Sequence, residues 1–212
     1  MQFLSKNPDS AILKEGQKYK SSSGRSNQKL KQALLKEQQG FCAYSEKYIS
    51  KIDSVDVEHF NPALKEQDDY FNYYAVLRYC NQYKQHLYPK FAESEFFKTL
   101  FFQDPEQLHS RIQYFKDEVG GMFDSVDPED HDAQNLIEYL GWNSHALHSE
   151  RKKHLESIQA IMQDAGYDSA ESQLAFFKKF RDRLSFITML EKELSLPLLA
   201  LLNQIPPEQK ES

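Results

Sequence analysis

The stretch from Val57 to Lys84, VEHFNPALKEQDDYFNYYAVLRYCNQYK, constrains the fold of this chain more than any other feature. Residues 49–60 have the pattern of a strand-rich passage, and Pro62 ends it because proline cannot donate a hydrogen bond to a sheet. A helix is expected to begin near Asn81 and to stop before Pro89. The stretch therefore predicts a small unit in which strand structure is followed by a helix.

The same stretch contains the residue types that a single-metal phosphodiesterase needs. Hydrolysis of a phosphodiester requires an activated water, stabilisation of charge on the phosphate and help for the leaving oxygen. Histidine suits the role of base near neutral pH, so His59 is the candidate for activating water. Mg²⁺ prefers oxygen ligands, which Glu58 and Asn81 can supply. A regular strand would point Glu58 and His59 to opposite faces, so one site contains both only if the chain bends there.

The bend and its support can also be read from the sequence. Asn61-Pro62 favours a bend at this point, and the amide side chain of Asn72 could hold it by hydrogen bonds. The predicted helix would carry Asn81 and Lys84 on one face, because residues i and i+3 are neighbours on a helix. A Glu-His pair alone is weak evidence, but the spacing of the whole set is informative.

Together, these residues and their spacing resemble the HNH nucleases, whose site is a ββα-metal unit, a β-hairpin followed by a helix. The resemblance implies an enzyme that uses Mg²⁺ or Mn²⁺ to hydrolyse nucleic-acid phosphodiester bonds. It also implies a role for each residue: metal ligands at Glu58 and Asn81, the general base at His59, the structural asparagine at Asn72, and a phosphate-steering lysine at Lys84.

Further motifs narrow the resemblance. QGFCAYSEKYI, VEHFNP, CNQYK and the later NLIEYLGWNSHALHSERKKHL are similar to segments of the HNH subunits of Septu-type (PtuB-like) bacterial anti-phage defence systems, which also occur with some retrons. The resemblance covers residues 30–160 of the chain. It implies a DNA or RNA substrate and an ABC/SMC-like ATPase partner that controls cleavage. Assembly of several copies of this chain into a homo-oligomer is a further alternative.

One departure from the family pattern concerns a structural zinc. The family pairs CAYC with C-x-x-CN, which supplies four thiolates to a tetrahedral zinc ion. The corresponding positions here are Cys42, Ser45, Leu77 and Cys80, and neither serine nor leucine supplies a thiolate. We therefore expect two buried thiols rather than a metal site, with the structural zinc lost and the catalytic metal retained.

The expected fold is α+β and mostly helical, with three regions. These are a basic flexible arm (residues 1–28), an HNH ββα-metal module (residues 29–92) and a helical C-terminal region (residues 93–212). The aromatic residues of the module are more typical of a core than of a surface that stacks on bases.

The C-terminal region is expected to hold a hairpin and three helices. Val119-Gly120-Gly121 is a turn signal, so residues 111–125 favour a small hairpin. The third long helix is predicted to run uninterrupted to Leu194, since apolar residues recur at helical spacing. The apolar segment after Pro197 is predicted to cover the core or to dock on a partner.

The charge distribution separates the arm from the rest of the chain. The net charge is −6, but residues 1–40 contain eight Lys or Arg against three acidic residues. Such an arm could contact phosphate groups locally, or it could simply be solvated. The sequence shows no apolar run of the ~20 residues that span a bilayer, and its start lacks the apolar core of a secretory signal. With only two cysteines, a cytoplasmic protein without membrane contact is expected.

Two alternatives to a nuclease stay open at this point. A catalytically inactive adaptor of the same fold would follow if the site had drifted after loss of zinc. A module that only binds nucleic acid is also possible, although the acidic balance of the chain argues against it.

Overall fold

The computed structural model describes residues 1–21, 24–65, 67, 69–116 and 121–205. Within these residues the fold is α+β and mostly helical, as the sequence predicted, with two small antiparallel sheets. The strands are β1 (Val55–His59), β2 (Tyr73–Leu77), β3 (Ile112–Phe115) and β4 (Met122–Ser125). The helices are α1 (Ala11–Lys14), α2 (Gly24–Glu37), α3 (Arg78–Phe91), α4 (Phe96–Thr99), α5 (Pro105–Arg111), α6 (His131–Tyr139), α7 (His145–Asp164), α8 (Ala170–Lys179), α9 (Ile187–Leu194) and α10 (Leu198–Gln204).

A β-hairpin followed directly by a helix forms the centre of the N-terminal half. Strand β1 pairs antiparallel with β2, with Val55 opposite Leu77 and His59 opposite Tyr73. Helix α3 begins at Arg78, directly after β2 and earlier than predicted. It continues through Pro89 instead of stopping before it. A proline near the end of a helix removes only one backbone hydrogen bond, and burial of Phe91 in the last turn offsets that loss.

Helix α2 covers one face of this hairpin and protects its edge. Leu30 and Leu34 are buried against the rings and small side chains of β2. Beyond the helix end, the Gln38 amide group takes the place of a neighbouring strand: it donates to the Ala75 carbonyl at 2.7 Å and accepts from the Ala75 N–H at 2.8 Å. A strand edge satisfied in this way is not available for pairing with another chain.

The N-terminal arm, predicted to be flexible, contains residues that pack into both cores. Leu4 and Ile12 are buried, the first in the main core and the second between α1, α2 and the hairpin. The Lys6 ammonium group donates to the Tyr73 carbonyl and lies over the rings of Tyr74 and Tyr70. Two buried apolar side chains and the contacts of Lys6 therefore attach this segment to the main core and to the hairpin, which a count of charges in the sequence could not show.

The C-terminal half packs against the opposite side of the hairpin unit. Phe60, just after β1, contacts the rings of Phe96, Phe102 and Tyr139. The buried Trp142 donates its indole N–H to the Tyr44 carbonyl at 2.7 Å. Strands β3 and β4 form the predicted hairpin, while Val119 and Gly120 of its predicted turn lie outside the described residues.

The third long helix predicted through Leu194 is interrupted. It consists of α8, a short 3₁₀ helix (Arg181–Leu184) and α9. At the break, Phe186 has a positive φ and its N–H donates to the Glu46 carbonyl at 2.8 Å, while the Ser185 hydroxyl accepts from the Tyr48 N–H. Contacts with the loop after α2 thus override the helical spacing of the sequence.

Helix α10 buries Leu198 and Leu202 in the main core, so the apolar segment after Pro197 covers the core, one of its two predicted outcomes. The polar tail that follows, residues 206–212, lies outside the described residues. No helix in the described part of the chain combines the length and apolarity that crossing a bilayer requires.

Docking of the arm through Lys6 predicts a specific pH dependence of stability. Burial lowers the pKa of Lys6 from 10.5 to about 7, although Glu37 and Asp69 oppose the shift. Between these two pKa values the unfolded chain binds a proton that the folded chain lacks, so this group makes stability rise with pH. We expect Lys6→Met to reduce that rise by up to about 1.4 kcal/mol per pH unit.

Urea unfolding of wild type and Lys6→Met at several pH values from 6 to about 10 measures the difference. Lys18→Met, at an exposed position of the same arm, is the control and should leave the wild-type slope unchanged. Parallel pH profiles for wild type and Lys6→Met would show that Lys6 is not buried as the structure has it.

Candidate active site

The predicted site residues converge on one cleft of about 320 Å³. Its walls come from the hairpin unit on one side and from α2 with the end of the arm on the other. The residues that line it are Tyr19, Gly24, Asn27, Gln28, Lys31, Val55, Asp56, Val57, Glu58, His59, Lys65, Asn81 and Gln85. Glu58, His59 and Asn81 of the predicted set are therefore among its lining residues, whereas Asn72 and Lys84 are not.

Strand β1 delivers the carboxylates and the histidine to different sides of the cleft. Asp56 and Glu58 are two residues apart in β1 and therefore lie on the same face of the strand, the face that meets α3. There Asp56 contacts Asn81 and Glu58 contacts Lys84. His59 points to the other face, where its ring packs edge-on against two tyrosine rings. The distance between ring centroids is 4.8 Å to Tyr19 and 5.4 Å to Tyr73. The chain leaves the strand after His59, at the position where the sequence required a bend.

Asn72 holds that bend through its side-chain amide. Its Oδ1 accepts from the Asn61 N–H at 2.7 Å, and its Nδ2 donates to the Asn61 carbonyl at 3.0 Å. The Asn72 carbonyl also accepts from the Phe60 N–H at 2.8 Å. One buried side chain therefore satisfies both backbone groups of the residue that precedes Pro62, as the sequence predicted for Asn72.

The predicted role of Lys84 requires a correction. Its side chain is fully buried, so it does not reach a phosphate that approaches from solvent. Its Nζ forms an ion pair with Glu58 and donates to the carbonyls of His59 and Phe60 at 2.7 and 3.0 Å. Lys84 is therefore a positioning residue that binds the end of β1 to α3. The helical spacing of Asn81 and Lys84 was right, but residue type could not reveal the burial.

Burial also sets the electrostatics of this ion pair. It raises the pKa of Glu58, a shift that Lys84 opposes and that the nearby carboxylate of Asp56 reinforces. Burial lowers the pKa of Lys84, and Glu58 opposes that shift. Both desolvation effects disfavour the charged forms, so the two groups depend on each other for their charges.

Two further residues complete the polar network around Asn81. Its Nδ2 donates to Asp56 at 3.1 Å, and its Oδ1 accepts from Gln85 at 2.8 Å. Asp56 also accepts from Arg78 at 3.2 Å. Sequence reasoning missed Asp56 and Gln85. Strand alternation from Glu58 to Asp56 and the helical i to i+4 spacing from Asn81 to Gln85 would have indicated them.

The donor set fits a hard divalent cation. Asp56, Glu58 and Asn81 bring two carboxylates and an amide oxygen to one cleft, and the Asp56 charge raises the pKa of Glu58, a repulsion that a cation would relieve. Among the described residues, no three His, Cys, Asp or Glu side chains form a metal-holding group. Mg²⁺ usually takes one or two protein carboxylates and keeps several waters, which agrees with a small set of protein ligands.

The zinc-knuckle positions meet even though two of the four cysteines are replaced. The sulfur atoms of Cys42 and Cys80 are free thiols 4.0 Å apart, and the Leu77 N–H donates to Cys42 at 3.3 Å. Burial acts to raise the pKa of Cys42, but hydrogen bonds from Cys80, Ser45 and Leu77 outweigh it and lower the pKa to about 6. Two sulfurs do not fit a four-thiolate zinc site.

Removing the Asn72 amide should destabilise the fold. Asn72→Ala leaves the N–H and the carbonyl of Asn61 without their side-chain partner, at a cost of about 2–3 kcal/mol in the free energy of unfolding. Denaturant unfolding measures this cost. Asn203→Ala, at an exposed position of α10, should change stability by less than about 0.5 kcal/mol. Equal stabilities of the two variants would show that the amide does not hold the bend.

Removing the Lys84 ammonium group should both destabilise the fold and expose Glu58 to metal. Lys84→Met leaves Glu58 buried without its cation, which costs about 3–5 kcal/mol. Mn²⁺ should then raise the melting temperature of this variant more than that of wild type, because the ammonium group no longer competes for the carboxylate.

Lys90→Met is the matched control, since Lys90 lies on the same helix but pairs with Glu138 at the surface. It should cost less than about 1 kcal/mol and keep the wild-type response to Mn²⁺. If Lys84→Met matched Lys90→Met in both measurements, the Glu58–Lys84 pair would not be the anchor that the geometry indicates.

Comparison with known proteins leaves the assignment to the residues themselves. No family model, curated protein or solved structure matches this chain.

Proposed function

We propose that this chain is a metal-dependent endonuclease of the HNH type that hydrolyses phosphodiester bonds in DNA or RNA. One observation carries the proposal: a hairpin and the helix after it bring Glu58, His59 and Asn81 to a single cleft, with Asn72 holding the bend next to them. This is the order of elements and residues that the resemblance to HNH nucleases implies.

Each residue has a chemical task that its position supports. His59 accepts the proton of the attacking water, and the edges of Tyr19 and Tyr73 fix the orientation of its ring. Glu58, Asn81 and Asp56 would hold Mg²⁺ or Mn²⁺. When bound, the cation stabilises negative charge on the phosphate and on the leaving oxygen. Lys84 opposes the upward shift in the pKa of Glu58 and holds the carbonyl of His59, so it acts through its neighbours rather than on substrate.

The biological setting of the proposal comes from the sequence resemblance. We propose that the chain is the nuclease subunit of a Septu- or retron-type anti-phage complex, with an ABC/SMC-like ATPase as its partner. The acidic balance of the chain supports this arrangement, since a subunit with a net charge of −6 gains from a partner that contributes nucleic-acid-binding surface.

A catalytically inactive adaptor is the second candidate, and one observation favours it. The Lys84 ammonium group already pairs with Glu58, and Gln85 already donates to the Asn81 amide oxygen. Both predicted metal ligands are thus engaged within the protein. Under this alternative the cleft keeps its shape through internal hydrogen bonds and performs no hydrolysis.

Mutation of the proposed base separates the two candidates. We expect cleavage of DNA or RNA to require Mg²⁺ or Mn²⁺, and His59→Ala to reduce its rate by about 10²- to 10⁴-fold. Gel assays with and without the ATPase measure the rates. His86→Ala, an exposed histidine on α3 outside the cleft, should keep wild-type activity. If wild type and His59→Ala were equally inert in every combination, the adaptor would replace the nuclease.

A further inference from the structure

The cleft is built from two chemically different sides. Asp56, Glu58 and Asn81 of the hairpin unit carry acidic and amide groups. The other lining residues include Lys31 on α2 and Lys65 in the loop after β1. His59 lines the same cleft, so a ligand within it would meet carboxylates, imidazole and ammonium groups in one small volume.

The two ammonium groups are available for an anionic ligand. Lys65 is exposed and Lys31 is partly exposed. Within the described part of the chain, neither forms an ion pair, whereas Lys47, Lys90 and Lys98 do. Other basic residues of α2, such as Lys29 and Lys36, do not line the cleft. Of the eight basic residues at positions 1–40, Lys31 therefore lines the cleft and the other seven do not.

The dimensions of the cleft restrict the form of nucleic acid that it admits. About 320 Å³ is close to the lower end of small-ligand sites, which hold roughly 300–1,000 Å³. Helix α2 stands beside β1 as a wall, because Leu30 and Leu34 pack it onto the hairpin. A duplex carries a paired strand and presents its phosphates on a wide convex cylinder, which suits an open surface better than a narrow groove. A single strand has no such partner and can follow a narrow groove.

Resting on the proposed nuclease function, we propose that Lys31 and Lys65 bind the backbone phosphates of a single nucleic-acid strand lying in this cleft. The strand passes between α2 and the hairpin unit, with one phosphodiester next to His59 and the carboxylates. The substrate class is single-stranded DNA or RNA rather than duplex. In this proposal helix α2, which carries Lys31, is a substrate-binding element.

Binding to the full chain carrying His59→Ala tests this inference without cleavage. Fluorescence anisotropy in Mg²⁺ compares labelled single-stranded DNA, single-stranded RNA and duplex DNA of the same sequence. We expect at least one single strand to bind about tenfold or more tightly than the duplex. Adding Lys31→Gln and Lys65→Gln should weaken single-strand binding about tenfold and reduce the slope of log K against log[salt] by about 1.4, which is 0.7 for each phosphate contact.

Lys29→Gln with Lys36→Gln is the matched control, because it removes the same charge from α2 outside the cleft. It should leave more than half of the affinity and nearly the whole salt slope. The inference fails if the control pair costs as much as the cleft pair, if duplex binds as tightly as both single strands, or if neither single strand binds.

The same samples distinguish this inference from the nuclease proposal. If wild type cleaves nucleic acid but Lys31→Gln and Lys65→Gln do not weaken single-strand binding, the single-strand site is refuted and the nuclease proposal stands. If wild type never cleaves but binds single strands in a way that depends on Lys31 and Lys65, the nuclease proposal is refuted and the single-strand site stands. A preference between DNA and RNA, in either direction, supports the site and identifies its ligand.

Discussion

The contact on which the rest of the site depends is the buried ion pair between Glu58 and Lys84. Lys84 also donates to the two carbonyls at the end of β1, so one ammonium group fixes the strand end, the bend and helix α3 relative to one another. A buried ion pair contributes little net stability, because desolvation offsets its Coulombic attraction. Its value here is positional, since either partner left alone in this volume would be strongly unfavourable.

The hairpin unit gains its rigidity from cores on both faces. Phe60 joins it to the aromatic side chains of the C-terminal half, while α2 and the arm cover the opposite side through Leu30, Leu34 and Ile12. A small ββα unit buries too little apolar surface to be stable by itself. The sulfur atoms of Cys42 and Cys80 are in contact within the main core and add to this packing.

The sequence predicted the parts of this structure that local rules control. The strand ending at His59, the bend at Asn61 and the helix after β2 follow from proline, amide and helical-spacing patterns. It failed where tertiary burial decides. Residue type alone would place Lys84 and Lys6 at the surface. The arrangement of distant elements buries Lys84 completely and leaves Lys6 partly exposed, with its ammonium group over two tyrosine rings. The break at Phe186 likewise depends on a hydrogen bond to Glu46, far away in the chain.

Asp56 explains how a cation and Lys84 could both be present at this site. Glu58 alone carries one negative charge, which Lys84 already balances. Asp56 adds a second carboxylate on the same face of β1, and its partner Arg78 is largely exposed, where an ion pair is weak. Asp56 therefore keeps a second carboxylate at the cleft even with the buried pair intact. A metal ion of the proposed nuclease would meet this second carboxylate, so its binding would require adjustment of the Glu58–Lys84 contact rather than its complete replacement.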